Sequence, residues 1–93
     1  MRVQFSKAKS EALRRNPKRG GGFEEAQEVF AYRYYQDQRS DDPEQYRAIG
    51  WAGDRLITVI FEIRDDRLGE YCHLVTLWRS TREERELYEA NSR

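Results

Sequence analysis

What this chain lacks excludes several kinds of chemistry. It has one cysteine, Cys72, and one histidine, His73. A lone thiol closes no internal disulfide, which fits a reducing cytoplasm, and one thiol with one imidazole cannot build a structural zinc site. No apolar run approaches the roughly 18 residues of a membrane span, and no signal peptide opens the chain. Gly20-Gly21-Gly22 is not followed by the Lys-Ser/Thr of a phosphate-binding P-loop, and no other cofactor fingerprint is present. Excess charge of one sign is missing too: 17 basic and 17 acidic residues cancel. A neutral total argues against indiscriminate binding of nucleic acid by the whole surface.

At 93 residues the chain is one domain, residues 1–93, near the lower end of domain size. Its core is expected to be small, so a dimer or a partner chain would add stability. Charge is abundant, at 37% of residues against about 25% in ordinary domains, and it is unevenly placed. Met1 to Arg19 holds seven Lys/Arg and one acid, Glu11. A local basic patch is therefore expected within a neutral total.

Taken in order, Met1–Phe5 alternates as a short edge strand. Ser6 caps a helix over Lys7–Asn16, and Pro17 stops it. Lys18-Arg19 and the three glycines form a flexible basic connection that allows close approach of a phosphate. Phe23–Ala31 reads as a second helix, with Phe23, Ala26, Gln27 and Phe30 on one face. Tyr32-Arg-Tyr-Tyr35 starts a strand or offers rings for stacking. Gln36–Pro43 is polar and reads as a mobile loop.

Three strands then follow. Glu44–Trp51 leads through Gly53-Asp54 into Arg55–Arg64, which alternates Ile57, Val59, Phe61, Ile63 against Leu56, Thr58, Ile60, Glu62. A turn over Asp65–Gly69 leads to the last strand, ending at Arg79. Short connections imply antiparallel pairing. Thr81 with Glu84 makes a capping box that opens a final charged helix. The expected fold is α+β: an antiparallel meander with two N-terminal helices and one C-terminal helix. The helices are expected on one sheet face and the function on the other. Cys72, inside an apolar strand, reads as a buried inert thiol.

The ordered set Phe5-x-x-x-Lys9, Lys18-x-Gly20, Phe23-Glu24-Glu25-Ala26-x-x-Val29-Phe30, Glu44 ahead of Ala48-Ile49-Gly50, Leu56-Ile57-x-Val59, Leu74-Val75 and Trp78-Arg79-x-Thr81, then Glu84-Arg85 and Tyr88, resembles the BrnT toxins across nearly the whole chain. Lys18-Arg19-Gly20 stands where that family has Lys-His-Gly, and Glu44-Gln45 where it has Glu-Arg. The resemblance implies the toxin half of a bacterial type II toxin–antitoxin pair, with a RelE-like ribonuclease fold. It implies a BrnA-like antitoxin partner, a cytoplasmic location and RNA cleavage without metal or cofactor.

In that reaction the ribose 2′-hydroxyl attacks the adjacent phosphate. The step needs a base, cations for the phosphorane and an acid for the leaving oxygen. His73 and Glu44 are the expected proton-transfer groups, with Arg79 as the phosphate clamp. Lys18, Arg19 and Arg82 would hold the RNA backbone, and Trp78 or Tyr34 would stack on a base. Strand alternation puts His73 and Arg79 on one face and Trp78 on the other. The competing readings are a structural His73, an Arg79–Arg82–Arg85 stretch that merely solvates a helix start, and a non-catalytic module that holds RNA or a protein partner on the same scaffold.

Overall fold

The computed structural model describes residues 2–91, and among them five strands form one mixed sheet in the order β1-β5-β4-β3-β2. The strands are β1 (Arg2–Gln4), β2 (Tyr34–Asp41), β3 (Glu44–Ala52), β4 (Arg55–Asp66) and β5 (Gly69–Arg79). β1 runs parallel to β5, and every other pairing is antiparallel. The helices are α1 (Lys7–Arg14), α2 (Phe23–Ala26) and α3 (Arg82–Ala90). The fold is α+β, as the alternation and capping patterns imply.

Local signals set the element starts. The Ser6 hydroxyl accepts from the Lys9 amide and opens α1. Asn16 caps a 3-10 turn over Pro17–Arg19, with Pro17 at a first-turn position that needs no amide donor. Thr81 and Glu84 satisfy each other's backbone N–H groups at the start of α3.

Two expectations about elements give way. The stretch Phe23–Ala31 is one α-helical turn that tightens into a 3-10 segment over Gln27–Ala31, and α1 stops at Arg14. Gln36–Pro43 is no mobile loop: through Asp41 it belongs to edge strand β2. Polarity hid it, because an edge strand needs only one paired side and can leave the other to water. Asp37 lies opposite Arg47 on β3 and takes its guanidinium in a two-pronged ion pair.

The core explains why α1 and α2 share a side. Ala48, Ile57, Val59, Phe61, Leu74 and Leu77 form one buried cluster with Leu13, Phe23, Ala26 and Val29. Phe23 is fully buried and lies against Phe5 with ring centroids 5.4 Å apart, and Phe30 meets Phe61 edge-on at 5.4 Å. Burying one such ring contributes about 1.5–3 kcal/mol.

The other sheet face is not left open as expected. Ile49, Thr58 and Ile60 are fully buried there, and α3 packs over that side against β2 and β3. Glu84 is the anchor. It is almost fully buried, accepts from the Trp78 indole N–H at 3.0 Å, and faces the Arg47 guanidinium.

Gly50 sits where Val29 presses on β3. An added Cβ would come within 2.9 Å of the Val29 methyl and 3.1 Å of the Tyr34 Cβ. Gly50→Ala is therefore expected to destabilise the fold by about 1–3 kcal/mol, measured as a lower urea midpoint with an unchanged slope.

Candidate nucleic-acid interface

One irregularity in β5 decides which charged groups meet. Ile60 pairs with Thr76 and Phe61 with Leu74, so Val75 has no partner. The extra residue is a β-bulge, and it reverses the alternation upstream of it. Leu77 and Arg79 share a face with Val59 and Ile57, on the α1/α2 side. Beyond the bulge it is Cys72 and Leu74 that face this core, so His73 turns to the opposite side, beside Glu62. The expected pairing of His73 with Arg79 therefore fails. Six residues of strand also separate them, roughly 20 Å at about 3.3 Å per residue.

Glu44 is likewise remote. It sits at the tip of the β2–β3 hairpin and accepts from the Tyr46 hydroxyl at 2.7 Å. It is eight strand residues, about 26 Å, from the Ala52 end of β3. Trp78 shares the α3 side with His73 and is committed to packing, its indole N–H held by Glu84 and its ring under Arg39 at 5.3 Å. Tyr34 packs edge-on against Phe30 at 5.2 Å. Arg82 points into solvent and makes only a 3.6 Å contact with Glu86.

Arg19 and Arg79 do come together, and Lys18 belongs to the same turn as Arg19. The Pro17–Arg19 turn lies against β5, and the Arg19 guanidinium donates to the Leu77 carbonyl at 3.2 Å. Gly20 follows with φ 83°, and a Cβ there would stand 2.9 Å from the Arg79 Cγ. Only glycine accepts both that backbone conformation and that approach.

Arg55, which sequence reasoning missed, and Arg85, which it weighed as a solvated helix-start residue, complete the cluster. Arg55 donates to the Gly20 carbonyl at 3.2 Å. Arg55 and Arg79 line a groove of about 410 Å³ beside Gly20 and Gly21. Both also line a neighbouring recess of about 190 Å³, where Arg85 and Asp54 join them. The strand pairing of Ile57 with Arg79 and the Gly53-Asp54 turn bring these residues to one sheet end. Adjacency of sequentially distant strand ends is not readable from spacing alone.

Among the described residues, none of Lys18, Arg19, Arg55, Arg79 and Arg85 has a carboxylate at ion-pair distance. Arg2, Arg14, Arg47 and Arg64, in contrast, each hold one or more acids. Comparison with protein-family models and with curated proteins finds no match to this chain.

One wall of the groove is held by an ionic network. Arg14 reaches Glu11, Glu24 and Glu25, and hydrogen bonds to Glu25 and then Glu24 raise its pKa. Glu25 also accepts from the Gly22 amide at 2.8 Å. The buried Ser10 hydroxyl donates to Glu24 and accepts from the Phe23 amide at 2.8 Å. Ser10 thus caps α2 in place of a side chain at Gly22, where a Cβ would stand 2.6 Å from the same hydroxyl.

On the far side, burial lowers the pKa of His73, with Arg64 and Lys9 adding to the effect and Glu62 opposing it. The shift favours the neutral imidazole. Burial also pushes the Cys72 thiol up, consistent with an inert thiol. No helix among the described residues is long and apolar enough to cross a membrane.

Hydrogen bonds from Ser10, its own backbone and Arg14 lower the Glu24 pKa from 4.5 to about 2. A carboxylate with a depressed folded-state pKa contributes stability that is complete above its unfolded value and lost as pH falls through the folded one. Wild type should therefore melt above Glu24→Gln at pH 6, and the gap should close between pH 4.5 and about 2. Thermal melts of both proteins across that range provide the measurement.

Proposed function

We propose that this chain is a ribonuclease toxin of the BrnT kind that holds an RNA backbone in the arginine groove. The observation that carries the reading is the set of guanidinium groups at one sheet end, Arg19, Arg55, Arg79 and Arg85, with no carboxylate at ion-pair distance among the described residues. Asp54 and Glu25 line the same openings, but neither is paired with these arginines, and clustered cations left unpaired favour an anion that bridges them. The planar guanidinium forks suit phosphate oxygens.

The chemistry follows from this placement. The cations stabilise the negative charge that builds on the phosphorane when the 2′-hydroxyl attacks, in fixed positions that need no reorganisation. Asp54 lines the same recess and is the carboxylate available there to accept the 2′-proton; as the P–O bond to the 5′-oxygen breaks and a 2′,3′-cyclic phosphate forms, the leaving 5′-oxygen takes a proton from water. His73 and Glu44 take no part. The reading carries with it a BrnA-like antitoxin partner and a cytoplasmic location.

A non-catalytic module that holds RNA without cutting it is the second reading. It is favoured by the bulge at Val75, which keeps the imidazole away from the groove.

Cleavage of a labelled single-stranded RNA with chelator present separates the two. Under the first reading, Arg55→Ala and Arg79→Ala each lower the cleavage rate about 100-fold, while His73→Ala leaves it unchanged. RNA that stays intact yet shifts on a gel, with binding that weakens steeply as salt rises, supports the second. A protein that neither cuts nor retains RNA overturns both.

A further inference from the structure

Trp51 is an unexplained feature beside the groove. It is a large ring on β3 with 36% of its surface exposed, and the Arg85 guanidinium of α3 lies over it, 5.3 Å from the ring centroid. Arg85 in turn lines the recess that contains Arg55 and Arg79. The ring is placed there by pairing: Trp51 sits opposite Leu56, next to Arg55 in β4. The other tryptophan is committed to Glu84 and Arg39, but Trp51 has no hydrogen bond or ion pair holding it among the described residues. An exposed aromatic ring with a guanidinium plane over it, at the edge of a cationic groove, matches what unpaired nucleotides use. Phosphates follow the cations, and the base stacks on the ring or on the guanidinium.

We propose that the Trp51–Arg85 pair is a stacking platform for one unpaired base, which makes single-stranded RNA the substrate class of the groove. The inference rests on the RNA reading above and adds to it where the base goes. A base stacked here has its flanking phosphate beside Arg55 and Arg79, because Arg85 borders both places. A continuous duplex keeps its bases stacked on each other and cannot use the platform. Stacking also tolerates any base, so the platform selects strandedness more than sequence.

The test compares a short single-stranded oligoribonucleotide with an abasic ribose-phosphate chain of the same length, with binding followed by anisotropy. Trp51→Leu should weaken binding of the oligoribonucleotide about tenfold and leave the abasic chain unaffected. Trp51→Phe should keep the affinity, since phenylalanine still stacks, but abolish the tryptophan quenching that wild type shows on binding. Circular dichroism confirms that each variant is folded, and the Trp51→Phe result stands even if Trp51→Leu does not fold. If Trp51→Leu binds the oligoribonucleotide as wild type does, or quenching survives in Trp51→Phe, the platform is overturned. Loss of affinity in Arg55→Ala alongside that result would leave the phosphate groove standing. Absence of binding to either chain by wild type overturns the platform and the RNA reading together.

Discussion

Burial of β4 on both faces is the constraint that the rest of the structure meets. From Leu56 to Phe61 every side chain is buried, so neither face of the sheet centre can be left to water. The hydrophobic effect then requires cover on two sides. The α1/α2 layer covers Ile57, Val59 and Phe61. The short α3 covers the other face and is fixed there by Glu84, which joins the Trp78 indole, the Thr81 amide and Arg47. A nearly buried carboxylate is tolerable because its oxygens are occupied by donors. The chain is small, so these two thin layers leave little margin for a wide open sheet surface.

Covering both faces pushes the available surface to the sheet's end. There the start of β4, the end of β5 and the Pro17–Gly22 connection converge, and each brings cations. Overall neutrality conceals this, because several acids are paired with other arginines: Glu11, Glu24 and Glu25 with Arg14 in the groove wall, Asp37 with Arg47, and Glu62 with Arg64. The groove is basic because of where the acids are as much as where the arginines are. Its shape depends on Gly20, whose left-handed backbone lets the connection lie on the Arg79 stem. The Arg14 network holds the same connection from the other side.

Much of the fold was legible in particular residues. Ser6, Pro17, Thr81 with Glu84, and Gly53-Asp54 mark their boundaries through short-range physics of caps and turns, which acts within a few residues and survives in any context. The strand alternation of β4 was legible for the same reason. Gln36–Pro43 was not, because its pairing energy comes from β3 and its side chains carry no apolar period. The site was legible only in part. Lys18, Arg19 and Arg79 were identified as site cations and Arg85 was weighed beside them, while Arg55 and Trp51 were not identified, since nothing local marks a residue at a strand end as a neighbour of another strand's end.

By itself, then, the amino-acid sequence determined the α+β class, the central strands, the capping points and the uneven spread of charge, all properties set by neighbours along the chain. Tertiary structure alone decided that α3 takes the second face and that arginines from separate elements share a groove. It also decided that His73 lies away from them. That last outcome turns on one unpaired residue, Val75. A bulge reverses which side every upstream side chain points to, and it exists only once β4 and β5 are paired.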